Sequence, residues 1–228
     1  MIREVFIVLT RLSSLSILIP LLLGIIRIAL ALRPRFTPLQ KRILIYVIVT
    51  VFFEILAQHF STPFWKWLTG EARNMPGAHV FTVVQFGLIV WIYKEIVDKV
   101  NVNLWWILIV AFAILGLYNG LYYDGFRNFN PTTRAVQATV MLSLIIGYFY
   151  SLLQEEKLVR LENEPLFWTS AGLLLYFTGN LLIFLVSNFL LSDTSNYDTI
   201  RALYCIHAVL NILLNISLAI ALWIRRPT

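Results

Sequence analysis

Glu54 is the residue whose type and position most demand a chemical explanation. It sits inside an apolar run, where a carboxyl group must be paired, protonated or solvated by a cavity, and such groups mark functional sites by default. Tyr46, Thr50 and Gln58 flank it at intervals of four, which places all of them on one helical stripe. A second stripe runs through the last apolar stretch, where His207, Asn211 and Asn215 also recur every four residues, with Tyr204 just ahead of them. A carboxylate and an imidazole at similar depth can stabilise each other's charge or relay a proton, so Glu54 and His207 are expected to pair between the second and last helices. Glu54, His59, His79 and His207 are also of the types that hold zinc, although three or four ligands must converge and no local motif links these.

The other intramembrane polar residues fall into groups. His79, Thr82 and Gln85 open the third apolar run, and Asn119 ends the fourth beside Tyr118, Tyr122 and Tyr123. Arg134 and Gln137 begin the fifth, Tyr176, Asn180 and Asn188 lie on the sixth, and Ser13, Ser14 and Ser16 follow Arg11 on the first. Asn and Gln in such helices usually bond neighbouring helices for about 0.6 kcal/mol each, so Asn180, Asn211 and Asn215 read first as structural links. Placed by depth at about 1.5 Å per residue, the polar set gathers in one half of the membrane. The expected pocket is lined by Glu54, His79, Gln85, Asn119, Arg134, Gln137, Asn180, His207 and Asn211. The other half is aliphatic and rimmed by Trp91, Trp105, Trp106, Trp168 and Trp223.

The elements that must carry these residues follow from composition. The 228 residues are 59% hydrophobic and only 13% charged, with a mean hydropathy of +0.79. Soluble domains are about 45–50% apolar and 25% charged, so this is an integral membrane protein with no separate soluble domain. Seven runs approach or exceed the roughly 20 residues that a membrane-crossing helix needs: 12–32, 43–60, 79–97, 104–121, 133–153, 166–191 and 202–223. The expected fold is a single all-α, polytopic seven-helix bundle spanning 1–228. Pro20 should disturb the first helix, and Pro131 and Pro165 suit the first turns of theirs.

Basic residues set the orientation. Ten Lys and Arg gather at one side (Arg33, Arg35, Lys41, Arg42, Lys94, Lys99, Lys157, Arg160, Arg225 and Arg226), against at most seven at the other. Cytoplasmic loops carry the excess, so the N-terminus is expected outside and the C-terminus inside. The net charge of +6 therefore reports insertion rather than nucleic-acid binding. The expected location is the cell membrane, the inner one in a Gram-negative cell. Cys205, the single cysteine, can form no internal disulfide. Arg11 breaks the first apolar stretch and no small-residue cleavage site follows, so a retained helix is expected rather than a signal peptide.

Two resemblances bear on function. The segments FWTSAGLLLYFTGNLL (167–182) and IHAVLNILLNISLAIALW (206–223) resemble uncharacterised bacterial seven-helix integral membrane proteins. In plan the chain also resembles the alkaline ceramidase and adiponectin-receptor superfamily, whose members bind zinc through a helix-two histidine, an acidic residue and His-x3-His on the last helix. His59 would match the first and His207 half of the last, but Asn211 replaces the second histidine and Ile55 the helix-two serine. A retinal protein is excluded, because Lys41, Lys66, Lys94, Lys99 and Lys157 all fall at helix ends or in loops. No inverted repeat or broken helix pair points to transport.

The expected function is a non-enzymatic, ligand- or lipid-binding sensory component. Its partners would be membrane lipids, a small apolar or lipid-like ligand and, since only five residues follow Trp223, a protein that carries any output. The alternative is a membrane-embedded hydrolase acting on a lipid, with zinc as its cofactor. The topology is testable directly: a reporter fused after Thr228 should read cytoplasmic and one inserted at Asn196 external, whereas both on one side would refute seven crossings.

Overall fold

Proline and threonine fix several helix starts. Pro38, Pro131 and Pro165 each occupy a first helical position, where a fixed φ and a missing N–H cost nothing. At the first of these the Thr37 side chain accepts from the Gln40 backbone N–H at 3.2 Å, while Gln40 Oε1 accepts from the Thr37 N–H at 3.2 Å, a reciprocal cap. The computed structural model describes residues 2–30, 36–57, 67, 75–97, 103–123, 125–126, 130–154, 160–192 and 197–224. Among them the chain is all-helical: α1 (Ile2–Ser16), α2 (Leu18–Ala29), α3 (Pro38–Ile55), α4 (Met75–Ile92), α5 (Lys94–Val97), α6 (Leu104–Tyr122), α7 (Pro131–Gln154), α8 (Pro165–Ser192) and α9 (Tyr197–Trp223), with a short 3-10 turn at Leu161–Asn163.

Among the described residues five stretches are long and apolar enough to cross a membrane: Arg3–Ala29, which is α1 and α2 together, and then Leu104–Tyr122, Pro131–Gln154, Pro165–Ile183 and Asp198–Trp223. Pro76–Ile92 is a shorter apolar helix. Large aliphatic side chains such as Leu15, Leu22, Ile28, Ile114 and Leu117 point outward and are more than half exposed, as lipid-facing surfaces require. The break between α1 and α2 falls at Ile17. Pro20 explains it, because its ring opposes the carbonyl four residues back, that of Ser16, and offers that carbonyl no N–H.

The last helix packs against α1, α2, α3 and α8. It runs parallel to α1 and α2, as successive contacts show: Phe6 with Tyr204, Ser13 with Asn211, Ser16 with Asn215, and Arg27 with Leu222 and Ile224. It runs antiparallel to α8, with Asn180 against His207 and Gly172 against Ser217. Gly172 and Gly179, two turns apart, let α9 approach α8 closely. A Cβ on Gly172 would lie 2.6 Å from Ser217 Cβ, and one on Gly179 would strike Leu210. On the other side of the bundle α4 packs between α3, α6 and α7, with the Phe86 and Phe112 rings stacked at 3.9 Å. Ile43, Val47, Ile89, Met141, Ile145, Leu173, Phe177, Leu218 and Leu222 form the continuous core among these helices.

One end of the bundle collects cations and carbonyls. Arg27 Nη1 donates to the Leu222 carbonyl and, at 3.1 Å, to that of Ile224. Gln40 Nε2 donates to Ala221 and Ile224 at 3.0 and 2.9 Å. Both thereby serve carbonyls that the end of α9 cannot satisfy within its own helix, and Arg27 also meets the negative end of its dipole. Nearby, Arg42 pairs with Glu95 at 3.2 Å, and Lys94 lies over the Trp105 ring. Neither Arg27 nor Gln40 stands out in the sequence, because the first is hidden within an apolar run and the second in a connector.

The close α8–α9 approach yields a test. Gly172→Ala should lower thermal stability in detergent by about 1–3 kcal/mol, the usual cost of overpacking, and Ser217→Gly should recover part of it. Gly147→Ala, whose Cβ would meet nothing within 4 Å, should leave stability unchanged or slightly higher.

Candidate functional site

A helix in lipid satisfies its own backbone, but each polar side chain along it still needs a partner. The stripe on α9 finds them on both neighbours. Asn211 Nδ2 donates to Ser13 Oγ at 2.9 Å and Asn215 Nδ2 to Ser16 Oγ at 2.7 Å. Ser16 in turn donates to the Ser13 carbonyl at 2.6 Å. On the α8 side, His207 Nδ1 meets Asn180 Oδ1 at 2.6 Å, and Asn180 Nδ2 donates to the Tyr176 carbonyl at 2.7 Å. That second bond fixes the orientation of the amide, so its oxygen faces the imidazole and Nδ1 carries the proton. The Tyr176 ring packs against the imidazole, with centroids 5.9 Å apart.

Beside this stripe lies a cavity of about 240 Å³. Its polar walls come from α1 (Ser13, Ser14), α3 (Tyr46, Thr50, Glu54), α4 (Gln85), α7 (Arg134), α8 (Tyr176) and α9 (His207, Asn211, Asn215), and Phe53, Phe81 and Leu214 add apolar surface. The polar lining is held from behind. Gln137 Nε2 donates to Gln85 Oε1 at 3.1 Å, and Gln85 Nε2 donates to the Tyr46 hydroxyl at 3.3 Å. Arg134 Nε donates to Asn130 Oδ1 at 3.0 Å, at the start of α7. One carboxyl, one guanidinium, one imidazole and two phenols thus converge on a space with prearranged hydrogen-bonding groups. Such an arrangement suits recognition of a small polar or charged group.

Of the nine expected pocket residues, Glu54, Gln85, Arg134, His207 and Asn211 line the cavity. Gln137 and Asn180 stand one hydrogen bond behind it, on Gln85 and His207. His79 and Asn119 belong elsewhere. His79 is buried with its ring 5.3 Å from that of Phe126, and Asn119 Nδ2 donates to Thr133 Oγ1 at 2.8 Å. Depth alone groups them with the pocket, whereas His79 packs on Phe126, between α6 and α7, and Asn119 bonds Thr133 of α7. Tyr46, Thr50, Tyr176, Ser13, Ser14 and Asn215 complete the lining; their stripes are visible in the sequence, but not that they share one space. The imidazole of His207 is bonded to Asn180 rather than to Glu54, which corrects the expected ion pair. The adjacent antiparallel helix supplies the partner, and Glu54 shares only the cavity.

Of the residues considered for zinc, His59 lies outside the described residues. Among the described residues no three His, Cys, Asp or Glu side chains gather at one point. No family model matches this chain, nor does any curated protein or solved structure.

The bond between His207 and Asn180 is measurable. In a double-mutant cycle, His207→Leu and Asn180→Leu should show a coupling of about 0.6–1.7 kcal/mol, the range for intramembrane hydrogen bonds. His207→Leu combined with Glu54→Gln should instead add to within about 0.5 kcal/mol. Strong coupling in the second cycle, read from thermal unfolding in detergent, would restore the ion pair.

Proposed function

We propose that this chain is a seven-span membrane protein whose polar cavity binds a small ligand, and that it is a non-enzymatic sensory component working through a protein partner. The crossings are α1 with α2, then α3, α4, α6, α7, α8 and α9. The N-terminus is outside and the C-terminus cytoplasmic, so the cavity lies in the outer half of the cell membrane. The clustering of Arg27, Arg42 and Lys94 at the end of the bundle away from Glu54 supports this orientation.

The observation that carries the binding reading is the enclosure of Arg134, Glu54 and His207 within one space walled by six helices. A guanidinium in such a site offers fixed donors to an anionic or carbonyl group. Glu54 and the tyrosine hydroxyls accept hydrogen bonds from the ligand's donors. A zinc-dependent hydrolase would need three ligands around one point; of the expected donors, Glu54 and His207 line the cavity and His79 packs on Phe126.

Mass spectrometry of the purified protein, with metal analysis on the same sample, tests the reading. A stoichiometric organic molecule should co-purify, and Arg134→Gln should lose it while remaining folded. Stoichiometric zinc, together with lipid hydrolysis that Glu54→Gln abolishes, would overturn the proposal in favour of a hydrolase.

A further inference from the structure

The cavity has a neighbour. A second space of about 510 Å³ lies between α1–α2 and α3, and it shares Ser14, Ile17 and Glu54 with the polar cavity. Its remaining walls are mainly aliphatic: Leu15, Leu18, Val51 and Ile55. Leu15 and Ile55 are 59% and 47% exposed, so the groove opens sideways through the lipid-facing surface. Thr10 and the exposed Arg11 also line it.

We infer that the ligand is a single-chain amphiphile with a terminal carboxylate or phosphate, whose head occupies the polar cavity and whose chain lies in the groove between α1–α2 and α3. This rests on the reading of the cavity as a binding site and adds the ligand's class and its route. Three observations carry it. First, the polar cavity alone is smaller than the roughly 300–1,000 Å³ of most ligand pockets, but the groove extends it with apolar surface. A head held there can continue into the groove, whose aliphatic walls suit hydrocarbon. Second, the charges are ordered along the path. Glu54 stands where the two spaces meet, and Arg134 lines only the inner one. A ligand entering from lipid passes the carboxyl first and ends on the guanidinium, so its far end is the anion and a hydroxyl or N–H nearer the chain meets Glu54. Third, Arg11 puts a cation at the groove's rim, which favours approach of an anionic head from the membrane surface.

The test is equilibrium binding to the full chain in phosphatidylcholine nanodiscs, with binding to empty discs subtracted. The probes are radiolabelled 3-hydroxylaurate and monolauroyl phosphatidate, which separate the two sources of an anionic head and each carry a hydroxyl near it for Glu54. Leu15→Trp and Ile55→Trp fill the groove from its two walls at lipid-facing positions, and Arg134→Gln removes the head's partner. At least one probe should saturate and be lost in Arg134→Gln. Both groove variants should weaken it at least about tenfold while keeping the wild-type melting temperature, since bulk now occupies the chain's place. If a probe saturates and depends on Arg134 but neither groove variant moves it, the cavity reading survives and the chain's route is overturned. If neither probe saturates on the wild-type chain, the amphiphile is overturned, and the cavity reading then stands or falls on the molecule that co-purifies.

Discussion

A polar side chain buried in lipid must find a partner, and on α9 that requirement recurs every turn. His207, Asn211 and Asn215 present donors and acceptors along one stripe, and only helices brought close on either side can satisfy them. Asn180 does so from α8, Ser13 and Ser16 from α1. Each bond contributes only about 0.6 kcal/mol in a membrane, so their main effect is on register rather than stability. A slip of α9 by one residue would break all three sets at once. Gly172 and Gly179 act in the same direction by allowing the approach that these short side chains need.

The two ends of α9 are treated differently, and the site depends on the difference. At the cation-rich end, Arg27 and Gln40 hold its terminal carbonyls and tie α2 and α3 to it. The helices therefore close tightly there around Leu218 and Leu222, which are almost fully buried. Toward the other end the contacts between α3 and α9 give way to the polar cavity. A bundle clamped at one end and opened at the other by side chains such as Arg134, Glu54 and Tyr176 positions a pocket walled mostly by regular helix, with the α1–α2 break at Ile17 in its lining. The hydrogen bonds behind Gln85, Arg134 and His207 fix the lining in advance, which reduces the ordering cost of binding.

Much of this was legible from spacing. Intervals of four made the stripes through Glu54 and His207 visible, and composition sufficed to identify a helical membrane protein. Spacing along each helix also followed from sequence, because rise per residue is constant. Azimuth did not. His79 and Asn119 are expected in the pocket, yet His79 packs on Phe126 and Asn119 bonds Thr133 instead of lining it. The same gap misassigned the partner of His207: opposite charge pointed to Glu54, whereas the antiparallel neighbour, the preceding helix in the chain, presents Asn180. Arg27 escaped notice because an apolar run around a single arginine looks uniform. Its signal lies elsewhere in the chain, in the terminal carbonyls of α9 that require a donor.

The stripe on α9 faces a polar space rather than lipid or dry packing. Single cysteines in a Cys205→Ala background, probed with a water-soluble thiol reagent, decide it. Cysteines replacing His207 and Asn211 on α9, and Ser14 and Thr50 on the facing walls, should react. Those replacing Ile206, Val209 and Leu213, which are at least 40% exposed on the lipid side of the same helix, should not. Uniform protection of all seven positions, or reactivity confined to the lipid-side set, would contradict a polar cavity built on the last helix.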